Sequence, residues 1–236
     1  MIGVLGGMGP VATVDFFHKV TVESEATCDE DQVPLLIQSD PRIPPRPAAI
    51  LHGAESPLPV LMAGRNRLIA AGAQALAMPC NTAHFWFDDL AKDCPVPFLS
   101  IVEASCRELS GKASPGAQVG VIGTRATLGA KLFESPLSHL GYSALLPLEN
   151  EMTDWILPGI QQVKGGRTVE GGQLIVQAVG QMLERGASVV ILACTETPLA
   201  LDAVQSDLRS HCIDTTSALA RACVRWWRTN GTATQV

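Results

Sequence analysis

The chain has 236 residues, of which 47% are hydrophobic and 17% are charged, and its formal net charge is -6 at pH 7. This length can bury one large core or two smaller ones, and the absence of a basic stripe argues against a nucleic-acid partner. The glycine-broken apolar start lacks the positive segment of a signal peptide, and no long uncharged run indicates a membrane span. We therefore expect a soluble cytoplasmic protein with no membrane partner.

The first half of the sequence alternates short apolar runs with longer helical patterns, which is typical of βαβ units and parallel sheets. Strands are predicted at 2–6, 33–40, 73–79 and 97–102. Helices are predicted at 12–25, 56–72 and 81–93, and the proline-rich run 41–51 is predicted to be a loop.

The second half repeats this alternation, with strands predicted at 118–124, 142–148, 187–194 and 211–216 and helices at 125–141 and 170–186. The halves also match in sequence: IGVLGG parallels VGVIGT, ALAMPCNTAH parallels VVILACTETP, and PFLSIVEASCREL parallels HCIDTTSALARAC. Cys80 precedes Ser100 by 20 residues, and Cys194 precedes Asp214 by the same interval. Three matches in one order indicate an internal duplication.

The duplication predicts an α/β fold of two similar domains with mainly parallel sheets, related by pseudo-twofold symmetry. We expect an N-terminal domain of residues 1–104 completed by 214–236, and a second domain of residues 105–213. Ligands of open parallel sheets bind beyond the carboxyl ends of the strands, where Cys80 and Cys194 occupy equivalent places. If the domains face each other, both thiols point into one cleft.

Each of these cysteines follows a predicted strand and precedes a predicted helix start. Backbone N–H groups and the positive end of a helix dipole are expected to lower the pKa of a thiol there and to bind carboxylates. Two opposed thiols suit racemisation, because one thiolate can remove a proton from one face of a carbon while the other thiol protonates the opposite face. The alternative is that both are buried structural cysteines, which is common for a single free cysteine.

The segments GGMGP, MPCNTAH and CTE together resemble the aspartate/glutamate racemase family, and most closely its aspartate racemase branch. The resemblance covers nearly the whole chain, from IGVLGGMGP to CIDTTSALA. It implies an acid/base pair formed by Cys80 and Cys194, a small amino-acid substrate and commonly a homodimer. It also implies that neither pyridoxal phosphate, nor any other cofactor, nor a metal is used.

The resemblance extends to residues that would bind the substrate. The α-carboxylate would be held by Asn81, Thr82, Thr124, Thr127 and Thr195. A second carboxylate would pair with Arg46 and Lys164, since an arginine can bind a carboxylate through two parallel hydrogen bonds. The same set includes Met8, in the glycine turn, and Glu196, after the second cysteine.

One position departs from the family pattern. The family often carries an acidic residue before the arginine, whereas this chain has Pro45, so aspartate, glutamate and a broader range of amino acids all stay open as substrates. Glutamate racemases carry Asp-Ser near the first glycine turn and a histidine after the second Cys-Thr. Here GGMGP and Glu196 stand at those places, which argues against a glutamate racemase of the cell-wall type.

Other functions fit less well. The run GMGPVA matches the pattern of a dinucleotide-binding turn, but Asp40 ends the second strand about 30 residues later rather than the usual ~20, which disfavours a nicotinamide oxidoreductase. A two-lobed amino-acid-binding protein would not need matched thiols. A family relative with one working cysteine, such as a decarboxylase or an isomerase, is the nearer alternative.

His84 is interpreted as a helix cap or a support for the site, because a Cys–His hydrolase would not need the second cysteine.

Overall fold

The strands of this computed structural model, which describes residues 1–231, form two four-stranded sheets in which every pair is parallel. Residues 232–236, the end of the predicted N-terminal domain, lie outside the described range. The contacts divide the chain into two compact units, one formed by Met1–Ala104 with the described residues from Thr216 on, the other by Ser105–Thr215.

The first sheet has the strand order β2-β1-β3-β4. Its strands are β1 (Ile2–Gly6), β2 (Leu35–Ser39), β3 (Ala75–Ala77) and β4 (Phe98–Leu99). The helices of this part of the chain are α1 (Pro10–Glu23), α2 (Arg46–His52), α3 (Leu58–Ala70), α4 (Phe87–Ala91) and α5 (Ile101–Arg107), with single 3₁₀ turns at Asp29–Asp31, Thr82–Trp86 and Glu108–Gly111.

The second sheet has the equivalent order, β6-β5-β7-β8, as a duplicated half requires. Its strands are β5 (Gln118–Gly123), β6 (Ser143–Leu145), β7 (Val189–Ala193) and β8 (Cys212–Asp214). The helices of this part of the chain are α6 (Arg125–Gly129), α7 (Glu134–His139), α8 (Glu149–Glu151), α9 (Leu157–Lys164), α10 (Thr168–Glu184) and α11 (Glu196–Ala203), with a π-helical turn at Met152–Ile156 and a 3₁₀ turn at Asp207–His211. The last helix, α12 (Thr215–Asn230), follows β8 and belongs to the first unit from Thr216 on.

The central strands are apolar runs because helices cover both faces of a parallel sheet. Every residue of β1 and of β7 is buried. Two α/β units with this strand order confirm the predicted fold class. No helix in residues 1–231 is both long and apolar enough to span a bilayer.

The turn after β1 brings two loops into close contact at the carboxyl edge of the first sheet. Gly7 has φ +93°, and a Cβ atom built on it would lie 2.3 Å from the backbone nitrogen of Asp40, in the loop after β2. Its N–H donates to Thr13 Oγ1 at 2.8 Å, which ties the turn to the first turn of α1. Only glycine combines this φ with this approach.

Several predicted boundaries were wrong for local reasons. The predicted strand 97–102 is cut short because Ser100 Oγ accepts a hydrogen bond from Glu103 N at 3.3 Å and α5 begins at Ile101. The predicted loop 41–51 ends in α2, whose first turn tolerates Pro47 because a proline there removes no helical hydrogen bond.

Two predicted long helices are each divided in the structure. The helix predicted at 81–93 consists of the 3₁₀ turn Thr82–Trp86 followed by α4. The helix predicted at 125–141 consists of α6 and α7, separated by residues 130–133.

Candidate active site

Cys80 lies at the carboxyl edge of the first sheet, beyond β3. In the first sheet, β2 lies on one side of β1 and β3 lies on the other. The carboxyl ends of β1 and β3 therefore form a topological switch point, which is where open α/β sheets form their ligand crevices. Residues Met78–Cys80 form a tight turn in which Cys80 N donates to Met78 O at 2.8 Å. The thiol residue is buried, with 5% of its surface exposed.

His84 fixes the backbone beside this thiol. Its Nδ1 lies 2.8 Å from the carbonyl oxygen of Cys80, and its Nε2 accepts a hydrogen bond from Ile101 N at 3.0 Å. One nitrogen therefore donates while the other accepts, which requires the neutral imidazole. Burial lowers the pKa of His84 to about 4, although the bond to Cys80 opposes that shift. The histidine thus connects the end of β3 to the start of α5.

Met8 and Arg46 are brought towards the same edge. Met8, Ile43 and Cys80 belong to one hydrophobic cluster, and α2, which begins at Arg46, packs against the turn Thr82–Trp86. Arg46 Nη1 donates to the carbonyl oxygens of Ile43 and Pro44 at 3.1 and 3.2 Å. Its buried Nε has no hydrogen-bond partner among residues 1–231, so a donor of the guanidinium is available for an acceptor.

Asn81 and Thr82, which follow the first cysteine, are both buried. Asn81 occupies the cap position of the 3₁₀ turn, but its side chain makes no capping hydrogen bond there. The carbonyl oxygen of Asn81 instead accepts from His84 N at 2.9 Å.

Cys194 has the equivalent position in the second sheet, directly after β7. Gly123 of β5 pairs with Ala193 of β7, so Thr124 and Cys194 leave adjacent strand ends side by side. Thr124 caps α6, because its Oγ1 accepts from Thr127 N at 3.1 Å, and the two threonine hydroxyl oxygens lie 3.0 Å apart. Both threonines are buried.

The Cys194 thiol donates to the carboxylate of Glu196, with Sγ 3.0 Å from Oε2. Burial raises the pKa of Cys194 well above its ordinary value, the charge of Glu196 raises it further, and the charge of Lys164 lowers it. The expectation that the helix start would favour the thiolate was therefore wrong for Cys194. Desolvation and a nearby carboxylate outweigh the helix dipole there.

Lys164 ends α9 and is exposed, whereas its neighbour Val163 packs in the same hydrophobic cluster as Cys194. Thr195 precedes α11 in the cap position without a capping side-chain bond, and its Oγ1 lies 3.4 Å from Glu196 Oε2. Thr197 was not among the predicted site residues, yet its Oγ1 donates to the Cys194 carbonyl oxygen at 2.7 Å. A threonine three residues after the cysteine was the available signal, since such side chains often bond a backbone carbonyl at a helix start.

The predicted site residues thus form two sets, one in each unit. Met8, Arg46, Asn81 and Thr82 accompany Cys80, and Thr124, Thr127, Lys164, Thr195 and Glu196 accompany Cys194. Within the described part of the chain, no group of three His, Cys, Asp or Glu side chains is arranged to hold a metal ion.

Comparison with known proteins gives one consistent result. The family described as Asp/Glu/hydantoin racemase matches residues 5–223. The broad-specificity amino-acid racemase RacX of Bacillus subtilis is 27% identical over 228 residues, which cover 95% of this chain and 96% of the relative. An aspartate racemase structure from Picrophilus torridus superposes with a TM-score of 0.83 at 28% identity, covering 95% of this chain and 93% of that one.

More distant structures share the fold alone. A glutamate racemase from Francisella tularensis, solved with D-glutamate, has a TM-score of 0.68 at 16% identity, covering 99% of this chain and 84% of that one.

Proposed function

The chain belongs to the Asp/Glu/hydantoin racemase family, and from that premise we propose that it is a cofactor-independent amino-acid racemase acting on aspartate. The observation that carries the proposal is a buried cysteine at the switch point of each sheet, Cys80 beyond β3 and Cys194 beyond β7. A two-base reaction needs a thiol at each of these two strand ends, whereas a one-base reaction needs only one.

In the proposed reaction, the thiolate of one cysteine removes the α-proton from one face of the substrate. The electron pair of the broken C–H bond moves into the carboxylate, giving an enolate-like intermediate. The thiol of the other cysteine then protonates the opposite face, so the configuration inverts. General acid and base groups of this kind contribute about 10²–10⁴-fold each to a rate.

The remaining site residues have proposed binding roles. Backbone N–H groups near the cysteines, with Asn81, Thr82, Thr124, Thr127 and Thr195, would hold the α-carboxylate and the charge that develops on it. Arg46 and Lys164 would bind the distal carboxylate, for which Arg46 keeps its buried Nε available. Met8 would pack against the substrate, and Glu196 would contact it from beside Cys194.

A broader substrate range is the second candidate, and two observations favour it. Pro45 stands where the family often has an acidic residue, and the similarity to the broad-specificity racemase of Bacillus subtilis covers 95% of this chain. Acceptance of glutamate would be one form of this broader range.

We also propose that the protein works in the cytoplasm as a homodimer. All seven cysteines are free thiols, as a reducing compartment favours. Several apolar side chains of α1 are exposed, as is expected of a surface that a second copy of this chain covers in a dimer.

Proton NMR in D2O tests the proposed reaction directly. The purified protein is incubated with L-aspartate, L-glutamate or a neutral amino acid, and loss of the α-proton signal is followed. Loss for aspartate alone supports aspartate racemisation, and loss for many amino acids supports the broad-specificity candidate. No loss with any of them contradicts both and would favour a decarboxylase or isomerase relative.

Single substitutions test the two-base scheme. Cys80→Ala and Cys194→Ala should each lower racemisation by about 10²–10⁴-fold, because either change removes one proton-transfer group. Cys223→Ala removes a buried thiol of α12 and serves as the matched control, which should keep activity. An undiminished rate in either site variant would refute the scheme.

A further inference from the structure

Cys194 and Glu196 form a buried pair of a thiol and a carboxylate. Glu196 is buried, with 6% of its surface exposed, and its Oε2 lies 3.0 Å from Cys194 Sγ. An acidic residue in the first turn of a helix is ordinary, because it interacts favourably with the helix dipole. A dipole effect alone, however, does not require the carboxylate to turn back onto a buried thiol.

The geometry decides which form of the thiol is favoured. A carboxylate next to Sγ accepts the S–H proton, whereas it repels a thiolate at the same distance. Two charged side chains act on this thiol, Glu196 from α11 and Lys164 from α9, and they act in opposite directions. Glu196 is in direct hydrogen-bond contact and Lys164 is exposed to solvent, so the carboxylate has the larger influence.

We propose that Glu196 is a positioning residue that keeps Cys194 in the protonated thiol form in the ligand-free enzyme, so that Cys194 starts as the proton donor for the enantiomer from which Cys80 removes the α-proton. The inference rests on the proposed racemase function for its meaning in catalysis. The protonation state itself is a property of the ligand-free protein.

The consequence for turnover follows from proton balance. If Cys194 begins as the thiol, the base that removes the α-proton is the thiolate of Cys80, whose S–H bond forms as the substrate C–H bond breaks. The Cys194 S–H bond then breaks as a new C–H bond forms on the opposite face. Cys194 is left as a thiolate beside Glu196, an arrangement that like-charge repulsion disfavours, and Cys80 is left as a thiol. The starting state returns when Cys80 loses its proton to solvent and Cys194 takes one up.

Alkylation of the thiols tests the protonation state without any turnover. Protein free of substrate is pulsed with iodoacetamide between about pH 6 and about pH 10, because only the thiolate reacts. Trypsin then releases residues 186–209, in which Cys194 is the one cysteine, and residues 68–92, in which Cys80 is the one cysteine. Mass spectrometry of the two peptides gives a separate pH profile for each thiol.

Glu196→Gln should move the Cys194 profile to lower pH. Because the thiolate fraction changes about tenfold per pH unit below the midpoint, a shift of half a unit would make alkylation roughly threefold faster near neutral pH. Glu196→Asp keeps the charge on a shorter side chain. Its Cys194 alkylation profile should therefore lie between those of the wild type and of Glu196→Gln. Glu170→Gln, which removes an exposed carboxylate from the first turn of α10, should leave the profile unchanged.

An unchanged Cys194 profile in Glu196→Gln would overturn the proposal, and so would a shift equally large in the Glu170→Gln control. Thermal unfolding followed by circular dichroism identifies a variant that has lost its fold, and in that event the Glu196→Asp profile must still shift for the proposal to stand.

A kinetic readout links the thiol to catalysis. If Cys194 must be protonated to act, the alkaline limb of the kcat profile should move to lower pH in Glu196→Gln together with the alkylation profile. If the protein racemises nothing, the alkylation result still decides the role of Glu196, so failure of the function and failure of this inference are distinguishable.

Discussion

The two candidate site cysteines are each held by a hydrogen bond to their own backbone carbonyl oxygen, but from different side chains. The carbonyl oxygen of Cys80 accepts from His84 at 2.8 Å, and that of Cys194 accepts from Thr197 at 2.7 Å. In each case the contact fixes the peptide that carries the thiol, so the position of the sulfur depends on a residue three or four places further along. The surroundings of the two thiols differ, since Cys194 also contacts the carboxylate of Glu196.

At the residue scale, the buried His84 leads us to expect that the free energy of unfolding falls in acid. Its pKa is lowered from 6.5 to about 4, so the unfolded chain takes up the proton first as the pH falls. The stabilisation from neutral His84 is complete above about pH 6.5 and is lost as the pH approaches about 4, a loss of roughly 3 kcal/mol. Protonation would also abolish the acceptor that Ile101 N uses.

Urea unfolding at pH 7 and near pH 4.5 measures this effect. We expect the free energy of unfolding to fall more between the two pH values in the wild type than in His84→Gln, which has an amide in place of the imidazole. His18→Gln, at an exposed histidine of α1, should behave as the wild type does. Equal pH dependence in all three proteins would contradict the role given to the neutral imidazole.

At the scale of elements, the loops after β1 and β2 depend on Gly7. Gly7→Ala should destabilise the fold in two ways, because an alanine at positive φ costs about 1–2 kcal/mol and its Cβ would collide with the backbone of Asp40, adding roughly 1–3 kcal/mol. Gly53→Ala is the matched control, since Gly53 has φ +62° but no atom within 4 Å of a built Cβ.

Denaturant midpoints of the two variants separate these effects. Gly53→Ala should show the backbone cost alone, and Gly7→Ala should be clearly less stable than that control. If the two variants are equally stable, the loops separate at little cost and the close approach to Asp40 does not hold this edge of the sheet together.

At the scale of the whole molecule, the outer face of α1 is the feature that bears on assembly. Val11, Val14 and Val22 are 58%, 68% and 59% exposed, and Phe17 is 50% exposed. Residues 11, 14, 18 and 22 share one side of the helix, so three valines and the exposed His18 make a largely apolar stripe. If the proposed homodimer covers this stripe, Val14→Asp should produce monomers, because an unpaired charge would be buried in the interface.

Light scattering after size-exclusion chromatography gives the molar mass of each variant. Val169→Asp, at an apolar residue of α10 that is 49% exposed, is the control and should keep the mass of the wild type. A dimer that persists in Val14→Asp would mean that subunits meet through another surface.

The sequence by itself determined the α/β alternation, the duplication and the position of both cysteines at strand ends. It could do so because strands buried on both faces are continuous apolar runs, and because the repeated segments have equal spacing. The division of two long helical patterns into shorter pieces was not visible, since pattern alone does not locate short breaks.

Only the tertiary structure decided the chemistry around the thiols. The contact of His84 with Ile101 joins residues 17 positions apart, and the buried Nε of Arg46 depends on how the loop before α2 packs. The pKa of Cys194 was expected to fall and instead rises, because desolvation and the direction of the Glu196 side chain outweigh the helix dipole. Burial depth and side-chain direction are properties of the packed fold, and a linear pattern of residue types does not contain them.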